Sequence, residues 1–355
     1  MASPAHPAAS ALPTAPLTRA LQALAQRESL SESLAAEVFG VVMRGEASPA
    51  QVGGLLMGLR LKGETGDEVA GAARALRSAM VRVEIEAPHL VDTAGTGGGA
   101  LTTFNISTGA ALVAAGAGAT VAKHGNRSFT SQCGSADVLE ALGVSVGLDA
   151  PGAVRVLREA GVAFLFAPNF HPAMRHVAAV RKELGVTTVM NLLGPLANPA
   201  GVRRQVIGVA DGERGPLVAL ALSRLGTDHA LVVHGRVGMD EISPVGDTDV
   251  WEVRDGRVAA WTITPGRFGL EVAEGSALRG GTPRENADRL ERLLSGGEDP
   301  GGGAAVVLNA GAAIYVAGLA ANLDEGIERA RVALQSGAAR AALERLRRAS
   351  PSTSG

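Results

Sequence analysis

The chain has 355 residues, which at roughly 150 residues per domain predicts two domains, or one large domain with an appendage. Its 33 lysines and arginines against 35 aspartates and glutamates give a formal net charge of -2, so no global basic field exists for nonspecific nucleic-acid binding. The single cysteine excludes an internal disulfide framework and a cysteine-based zinc site, while 46% hydrophobic residues with only 3% aromatics favour helices layered on a sheet.

The first segment, residues 1–16, is rich in Ala, Pro and Ser and has neither a cationic start nor an unbroken apolar stretch. We expect a disordered extension there and not a secretory signal, and therefore a cytoplasmic protein. The most apolar window, Gly109 to Ala122, is shorter than the ~20 residues that cross a bilayer. It predicts a buried helix that leads into a strand, and no membrane partner.

Residues 17–86 contain sequence signals for the beginnings of helices. Ser31 precedes an amphipathic run, Ser48 and Pro49 form an N-cap and first-turn pair, and Thr65 with Glu68 has capping-box spacing. These signals predict a small helical domain, to which a later segment near residues 176–200 is expected to contribute.

Residues 87–350 change to short apolar runs separated by helical stretches, which is typical of βα repeats and predicts a mostly parallel sheet. Alternating residues on either side of Asp255-Gly256 predict an antiparallel hairpin. The predicted strands are Leu90–Asp92, Thr120–Ala122, Val206–Ala210, Ala230–Val233, Val250–Arg254 and Arg257–Ile263. Further along we expect a glycine-rich surface loop at Gly296–Gly303, a buried helix at Val306–Leu319, amphipathic helices within Glu325–Arg348, and disorder over Pro351–Gly355.

A glycine loop, Asp92–Ala100, follows the first of these strands and precedes a helix expected to start near Asn105. Glycines allow backbone amides to converge on an anion. Gly95-x-Gly97-x-x-Ala100 satisfies the dinucleotide fingerprint, but that interpretation needs an acidic residue about 20 positions later. Residues 93–136 contain no Asp or Glu, which argues against a dehydrogenase and favours a phosphate-rich ligand.

Two further donor clusters follow in the sequence. Asn105–Thr108 sits where the helix begins and can add hydroxyls and amides, although simple N-capping explains it equally well. Lys123–Ser128 follows the next strand and so falls on the same carboxyl edge of the sheet, with Thr130, Ser131 and Ser135 beyond it. The alternative for this turn is a solvated basic loop.

Acidic and carboxylate-binding candidates come later. Asp240-Glu241 lies after the strand that ends at Gly235, and adjacent carboxylates near a polyphosphate suit magnesium, although such pairs are usually solvated. Arg181 follows His171–His176 and is a candidate bidentate clamp for a carboxylate, or else a surface residue paired with Glu183.

Taken together, these stretches resemble the anthranilate phosphoribosyltransferase family from about Ala20 to about Leu346. The motifs that carry the resemblance occur in order: the glycine loop, Asn-x-Ser-Thr, Lys-His-Gly-Asn-Arg at 123–127, Gly134–Glu140, His-Pro-Ala-Met at 171–174, Leu-Gly-Pro-Leu-x-Asn-Pro at 193–199, and Val-Val-His-Gly with the following Asp-Glu. Six or more co-linear motifs make a chance match implausible.

The resemblance implies a small N-terminal α-helical domain joined to a larger α/β domain of the nucleoside phosphorylase and phosphoribosyltransferase type. It also implies a homodimer that transfers the phosphoribosyl group of phosphoribosyl pyrophosphate (PRPP) to anthranilate in tryptophan biosynthesis, with Mg²⁺ as cofactor. By analogy, we expect the helical domain to supply the dimer face through Leu55, Leu56, Leu59 and similar residues.

The family's site residues map onto this sequence by position. PRPP would be held by Gly95, Gly98, Gly99, Thr103, Asn105, Ile106, Ser107, Thr108, Lys123, His124, Gly125, Asn126, Arg127, Ser128, Phe129, Thr130, Ser131 and Ser135. Anthranilate would contact Gly95, Asn126, His171, Arg181 and Pro195. Ser107, Asp240 and Glu241 would bind magnesium, and Lys123, His124 and Arg181 would be the catalytic residues.

The sequence departs from the family pattern at three positions. Gly99 stands where the glycine loop usually has Asp, which removes a carboxylate beside the pyrophosphate site and bears on metal dependence and diphosphate affinity. Thr187 replaces a usual Arg, and Ala179 replaces a usual Pro.

Two other functions compete with this one. A pyrimidine nucleoside phosphorylase has a similar architecture, but Lys123–Arg127 and Leu193–Leu196 fit the anthranilate family better. A noncatalytic nucleic-acid-binding relative would need a broad basic surface and stacking aromatics, which this composition disfavours.

Overall fold

A computed structural model describes residues 15–128 and 132–350 of the chain. The disorder expected at residues 1–14 and 351–355 lies outside the described residues. Ala15 and Pro16 belong to the first helix, so the extension predicted over residues 1–16 was drawn two residues too long. Proline fits the first turn of a helix because no intrahelical partner exists there for its missing N–H.

The described residues begin with four helices: α1 (Ala15–Ala25), α2 (Glu32–Met43), α3 (Pro49–Lys62) and α4 (Gly66–Ala79). The predicted caps form as the sequence indicates. Ser31 accepts a hydrogen bond from the Leu34 amide, and the capping boxes at Ser48 and Thr65 are both complete. The local signals therefore set the beginnings of three of these helices.

In the described part of the chain, seven strands form one sheet: β1 (Leu90–Gly95), β2 (Thr120–Gly125), β3 (Val162–Phe166), β4 (Arg204–Gly208), β5 (His229–Gly235), β6 (Thr248–Arg254) and β7 (Arg257–Ile263). Their order is β3-β2-β1-β4-β5-β6-β7. The first five strands in that order are parallel, and β6 and β7 form the predicted antiparallel hairpin around Asp255-Gly256. The chain leaves β1 toward β2 on one side and returns to β4 on the other, so β1 and β4 flank a topological switch point.

The remaining helices are α5 (Ile106–Gly116), α6 (Ser135–Ala141), α7 (Ala150–Ala160), α8 (Ala167–Phe170), α9 (Arg175–Leu184), α10 (Met190–Leu196), α11 (Gly215–Arg224), α12 (Pro283–Leu294), α13 (Pro300–Val316), α14 (Leu323–Gln335) and α15 (Ala338–Ala349). Short 3-10 turns lie at Pro172–Met174, Gly212–Arg214, Pro265–Phe268 and Gly275–Leu278. With the sheet, these helices confirm the predicted class of a helical domain plus a larger, mostly parallel α/β domain.

The two faces of the sheet bury different cores. Successive strand residues point to opposite faces, so Val206 lies in the core that contains α5 and α13, while its neighbour Ile207 lies in the core that contains α1–α4 and α11. Helices α9 and α10 contribute to the second core. The boundaries of the two domains remain a prediction.

The leucines proposed for a dimer face lie inside this second core. Leu55, Leu56 and Leu59 are at most 1% exposed in the single chain, and α3, which carries them, packs against α1 and α9. The expectation that they form a dimer face was wrong, because α1 and α9 cover the surface that the helical domain alone would leave open.

Two other expectations in the α/β domain were wrong or incomplete. The predicted surface loop Gly296–Gly303 ends at Asp299, whose carboxylate accepts the Gly302 amide at 2.9 Å and starts α13 at Pro300. Gly301 and Gly302 are buried, and a Cβ on Gly301 would lie 2.8 Å from the Ala277 methyl carbon, so glycine there serves close packing. The edge strand β3 was not predicted.

Candidate active site

The glycine loop and the acidic pair meet at the switch point between β1 and β4. Gly95 ends β1 and lies in register with Gly208 at the end of β4. A Cβ on Gly95 would be 2.5 Å from Asp240 Oδ2, and one on Gly208 would be only 1.5 Å from the Asp240 carbonyl oxygen. Both strand ends therefore need glycine, because the segment after β5 crosses directly over them.

The glycine loop folds back onto this acidic segment. Gly97 and Gly98 have φ values of 67° and 82°, which favour glycine, and a Cβ on either would meet nothing within 4 Å. The Gly97 amide donates to Asp240 Oδ2 at 2.8 Å. The loop thus holds one carboxylate of the pair, and the Cα atoms of Gly97 and Gly98 face open space.

Gly99 occupies a position that has no room for a side chain. The Ala100 amide donates to the Gly238 carbonyl at 2.8 Å, which draws the loop against the turn after β5. A Cβ on Gly99 would lie 2.7 Å from that same carbonyl oxygen. The family's usual Asp does not fit this loop conformation without a backbone shift.

Lys123, on β2, is the buried cation of the site and is 3% exposed. Its Nζ donates to the Thr93 carbonyl at 2.6 Å and to Ser107 Oγ at 3.2 Å, which joins β1, β2 and the start of α5. Burial lowers the pKa of Lys123 to about 8, against the opposing pull of Asp92, Glu241 and Asp240. The ammonium group therefore interacts electrostatically with three carboxyl groups.

Asp92 was not predicted as a site residue, although an aspartate in an apolar strand was a visible signal. It is fully buried and accepts the His124 amide at 3.1 Å and Asn198 Nδ2 at 2.8 Å. Asn198 also donates to the Ala122 carbonyl at 2.8 Å. Burial raises the pKa of Asp92 to about 6. This carboxylate ties β1, β2 and the Asn-Pro end of the 193–199 segment together below the site.

The acidic pair fits a cation. Thr103 Oγ1 donates to Glu241 Oε2 at 3.1 Å, and burial together with Asp240 raises the pKa of Glu241 to about 8. Burial also raises the pKa of Asp240. Within residues 15–128 and 132–350, no cluster of three or more His, Cys, Asp or Glu side chains is arranged to hold a metal ion. Two carboxylates and the Ser107 hydroxyl nevertheless suit Mg²⁺, which takes few protein ligands and completes its shell with water and substrate phosphate.

A small cavity lies beside this pair. Its lining includes residues from β1, β4, β5 and α5, and one residue from a helix that sequence analysis did not connect with the site, Asn309 of α13. The lining residues are Thr93, Ala94, Ser107, Ala110, Val206, Gly208, Val233, Asp240, Glu241 and Asn309. No motif in the sequence linked α13 to the site.

The start of α5 supplies fewer donors than expected. Asn105 does not cap the helix with its side chain. Its side-chain Nδ2 donates to the Cys133 carbonyl, and its Oδ1 accepts a hydrogen bond from Asn286 Nδ2 at 2.9 Å. The Ile106 side chain is fully buried in the core and its amide donates to Phe104, so the structure does not support direct contact of Ile106 with PRPP. Thr108 is also buried, which leaves Ser107 as the residue of this tetrapeptide that contacts Lys123.

The basic turn after β2 is partly neutralised within the chain. The Arg127 guanidinium donates to Asp137 at 2.7 Å and to both oxygens of Glu140, so these carboxylates use three of its five N–H donors and offset its charge. The Ser128 amide donates to Asp137 as well. Ser135 starts α6 next to Gly125. The predicted contacts of Phe129, Thr130 and Ser131 lie outside the described residues.

His124 and His171 form a buried pair, 6% and 5% exposed. Their Nε2 atoms are 3.2 Å apart, and His124 Nδ1 lies 3.1 Å from the Gly194 carbonyl oxygen. Burial lowers the pKa of His124 to about 3 and that of His171 to about 4, so both rings are neutral near pH 7. Pro195, next to Gly194, is buried too.

Arg181 is half-buried on α9, ten residues after His171. Among the described residues its guanidinium makes no hydrogen bond or ion pair, and the alternative pairing with Glu183 does not form. Burial lowers its pKa. A partly desolvated guanidinium without a carboxylate partner is suited to an anionic ligand. Ala179 and Thr187 are both exposed.

No helix in the described part of the chain is both long and apolar enough to cross a membrane.

Comparison with known proteins assigns the family. The model of the glycosyl transferase family helical bundle domain matches residues 18–80, and that of the family's a/b domain matches residues 87–340. An anthranilate phosphoribosyltransferase of Myxococcus xanthus is 50% identical over 331 residues, which are 93% of this chain and 98% of that protein. The chain belongs to the anthranilate phosphoribosyltransferase family.

Solved structures of anthranilate phosphoribosyltransferases agree with this assignment. The Thermus thermophilus enzyme superposes with a TM-score of 0.87 at 47% identity, covering 92% of this chain and 98% of its own. The Saccharomyces cerevisiae enzyme in complex with PRPP and Mg gives a TM-score of 0.85 at 30% identity, covering 94% and 97%. The yeast enzyme is also known in complex with 4-fluoroanthranilate. This chain is thus an enzyme of the glycosyl transferase class.

Proposed function

We propose that the enzyme transfers the phosphoribosyl group of PRPP to the amine of anthranilate, with Mg²⁺ as cofactor, and releases pyrophosphate in tryptophan biosynthesis. The observation that carries this proposal is the meeting of the glycine loop, Lys123 and the Asp240-Glu241 pair at the switch point of the sheet. The complexes of the yeast relative with PRPP and Mg and with 4-fluoroanthranilate support it.

The diphosphate of PRPP would lie over the glycine loop and the start of α5. Lys123 and the free amides of the loop would face the negative charge that develops on the leaving pyrophosphate. Ser107, Asp240 and Glu241 would hold Mg²⁺, whose bound charge would help to neutralise that leaving group. The raised pKa values of the two carboxylates fit this role, since a cation would relieve the cost of ionising both side by side.

Anthranilate would be held by its carboxylate on Arg181, with Gly95, Asn126, His171 and Pro195 around the ring. In the reaction, the amine nitrogen forms a bond to the anomeric carbon while the bond from that carbon to the pyrophosphate oxygen breaks, and the nitrogen then loses a proton. An aromatic amine is already unprotonated near neutral pH, so aiming the nucleophile is the enzyme's main contribution on this side.

The histidine pair is better suited to positioning than to storing this proton. A base with a pKa near 3 or 4 holds a proton poorly at pH 7. The contact of His124 with the Gly194 carbonyl instead fixes the 193–199 segment against β2. We therefore assign His124 and His171 to the wall of the acceptor site.

Arg181→Ala tests the acceptor side. Loss of a charge-assisted hydrogen bond of roughly 1.5–3 kcal/mol should raise KM for anthranilate roughly 10- to 100-fold and leave KM for PRPP unchanged. The decrease in anthranilate fluorescence, with and without PRPP and Mg²⁺, measures both constants. Arg175→Ala, an exposed arginine of the same helix, is the matched control and should change neither.

An equal effect of Arg181→Ala on both KM values would remove Arg181 from the acceptor site. Absence of anthranilate consumption in the wild-type enzyme, with release of free base from a pyrimidine nucleoside and phosphate, would replace the proposed reaction by phosphorolysis. The homodimer and the cytoplasmic location remain predictions from the family resemblance and the sequence; sedimentation velocity tests the first and cell fractionation the second.

A further inference from the structure

Asn309 is a buried amide in an apolar helix. It lies in the middle of α13, whose neighbouring side chains are almost all in the core, and it is 5% exposed. A polar side chain in such surroundings is costly unless its hydrogen-bonding groups are satisfied. An aliphatic residue would fill the same volume without that requirement, so the contacts of this amide need an explanation.

The side-chain amide of Asn309 forms a pair of hydrogen bonds, here called the clasp, with the residue that follows the acidic pair. Asn309 Oδ1 accepts the Ile242 amide at 2.9 Å, and Nδ2 donates to the Ile242 carbonyl at 2.9 Å. The second hydrogen of Nδ2 goes to the Ala305 carbonyl, also at 2.9 Å, which fixes the side chain to its own helix. Both donors are thus used, and the two bonds to Ile242 imitate a pair of ladder bonds between strands.

Ile242 directly follows Glu241, so this clasp determines where the acidic pair can lie. On its other side the same segment is limited by Gly208, which has no room for a Cβ, and by the Gly97 amide on Asp240. We infer that Asn309 is a positioning residue for the proposed Mg²⁺ site: it fixes the backbone after Glu241 and thereby the spacing and direction of both carboxylates. This inference rests on the proposed function for the metal, but the clasp itself is testable without it.

The first experiment needs neither metal nor substrate. Hydrogen–deuterium exchange of the full-length protein should show the Ile242 amide exchanging at least ten times faster in Asn309→Leu than in the wild type, with peptides of β1 and β2 unchanged. Leu308→Val, in an adjacent buried position of α13, is the control and should leave Ile242 protected. If Asn309→Leu does not fold, Asn309→Ser, which leaves space for a water, takes its place. Unchanged protection of Ile242 would overturn the inference.

The second experiment measures Mn²⁺ binding alone, by the electron paramagnetic resonance signal of the free ion. Loss of an outer-shell partner typically weakens metal binding about 10- to 100-fold, and we expect that loss of affinity for Asn309→Leu but not for Leu308→Val. A double variant, Asp240→Asn with Glu241→Gln, shows which part of the Mn²⁺ binding belongs to the proposed site. If this double variant binds Mn²⁺ like the wild type, the proposed metal site fails. If it loses binding while Asn309→Leu retains full affinity, the positioning role alone fails.

Discussion

The buried pair of His124 and His171 predicts a specific pH dependence of stability. In the folded protein, burial lowers the two pKa values to about 3 and about 4, whereas an unfolded histidine titrates near 6.5. As the pH falls below about 6.5, protons bind the unfolded chain first, so the free energy of unfolding decreases. Each histidine therefore stabilises the fold fully above its unfolded pKa and loses that contribution on acidification.

The magnitude follows from the linkage relation. At pH 5.0 an unfolded histidine is mostly protonated, and a folded one with a pKa near 4 is mostly neutral. The difference costs roughly 1.4 kcal/mol per pH unit over about 1.5 units, or about 2 kcal/mol for His171. A similar amount applies to His124, so the pair together accounts for about 4 kcal/mol between pH 7.5 and pH 5.0.

Urea unfolding of wild type and His171→Asn at both pH values measures this effect. The raised pKa values of Asp92 and Glu241 act in the opposite direction, because these groups stabilise the fold as they take up protons on acidification. The diagnostic quantity is therefore the difference between the two proteins. The wild type should lose about 2 kcal/mol more than the variant on going from pH 7.5 to pH 5.0. Parallel losses in the two proteins would show that His171 takes up its proton as readily in the fold as in the unfolded chain, and would refute its assignment as part of a neutral wall.

Two glycine substitutions test the geometry of the switch point. Gly208→Ala places a methyl group 1.5 Å from the Asp240 carbonyl oxygen, so the segment that carries Asp240 must move by about 2 Å to reach ordinary contact. We expect at least a tenfold loss of Mn²⁺ affinity, measured by electron paramagnetic resonance. Undiminished affinity would contradict the observed crossing of this segment over Gly208. Gly99→Asp restores the usual family residue but places its Cβ 2.7 Å from the Gly238 carbonyl oxygen. The melting temperature should fall without a gain in Mn²⁺ affinity, whereas tighter binding at unchanged stability would show that the loop accepts the carboxylate.

Short-range signals in the sequence were sufficient for much of the fold. The N-cap at Ser48, the capping box at Thr65 and the Asp255-Gly256 hairpin depend on residues within a few positions of each other, and all three form as predicted. Composition was misleading where glycine serves packing between helices. Gly301, in the predicted loop, instead lies in the first turn of α13, where a Cβ would be 2.8 Å from the Ala277 methyl carbon of the Gly275–Leu278 turn.

The residues of the site also divide into those that the sequence could place and those that it could not. Residues in the last positions of the strands, such as Gly95 and Lys123, could be placed at one edge from the order of the strands alone. The partners that fix them could not, because the contact of Asp92 with Asn198 spans 106 residues and that of Ile242 with Asn309 spans 67. Arg127 is an intermediate case: its partners lie 10 and 13 residues further on, in the next helix, where a pairing could have been anticipated.

The charges of the site give a reason for the proposed metal dependence that does not rely on Gly99. Within the described residues, Lys123 interacts with three carboxylates, those of Asp92, Glu241 and Asp240. Each of these carboxyl groups has a raised pKa, so the lysine does not balance them. A diphosphate would add further negative charge to the same space, and only additional cations can offset it. An Asp at position 99 would increase this excess, so its absence leaves the proposed site with less repulsion toward the diphosphate while the Asp240-Glu241 pair still supplies the carboxylates that Mg²⁺ requires.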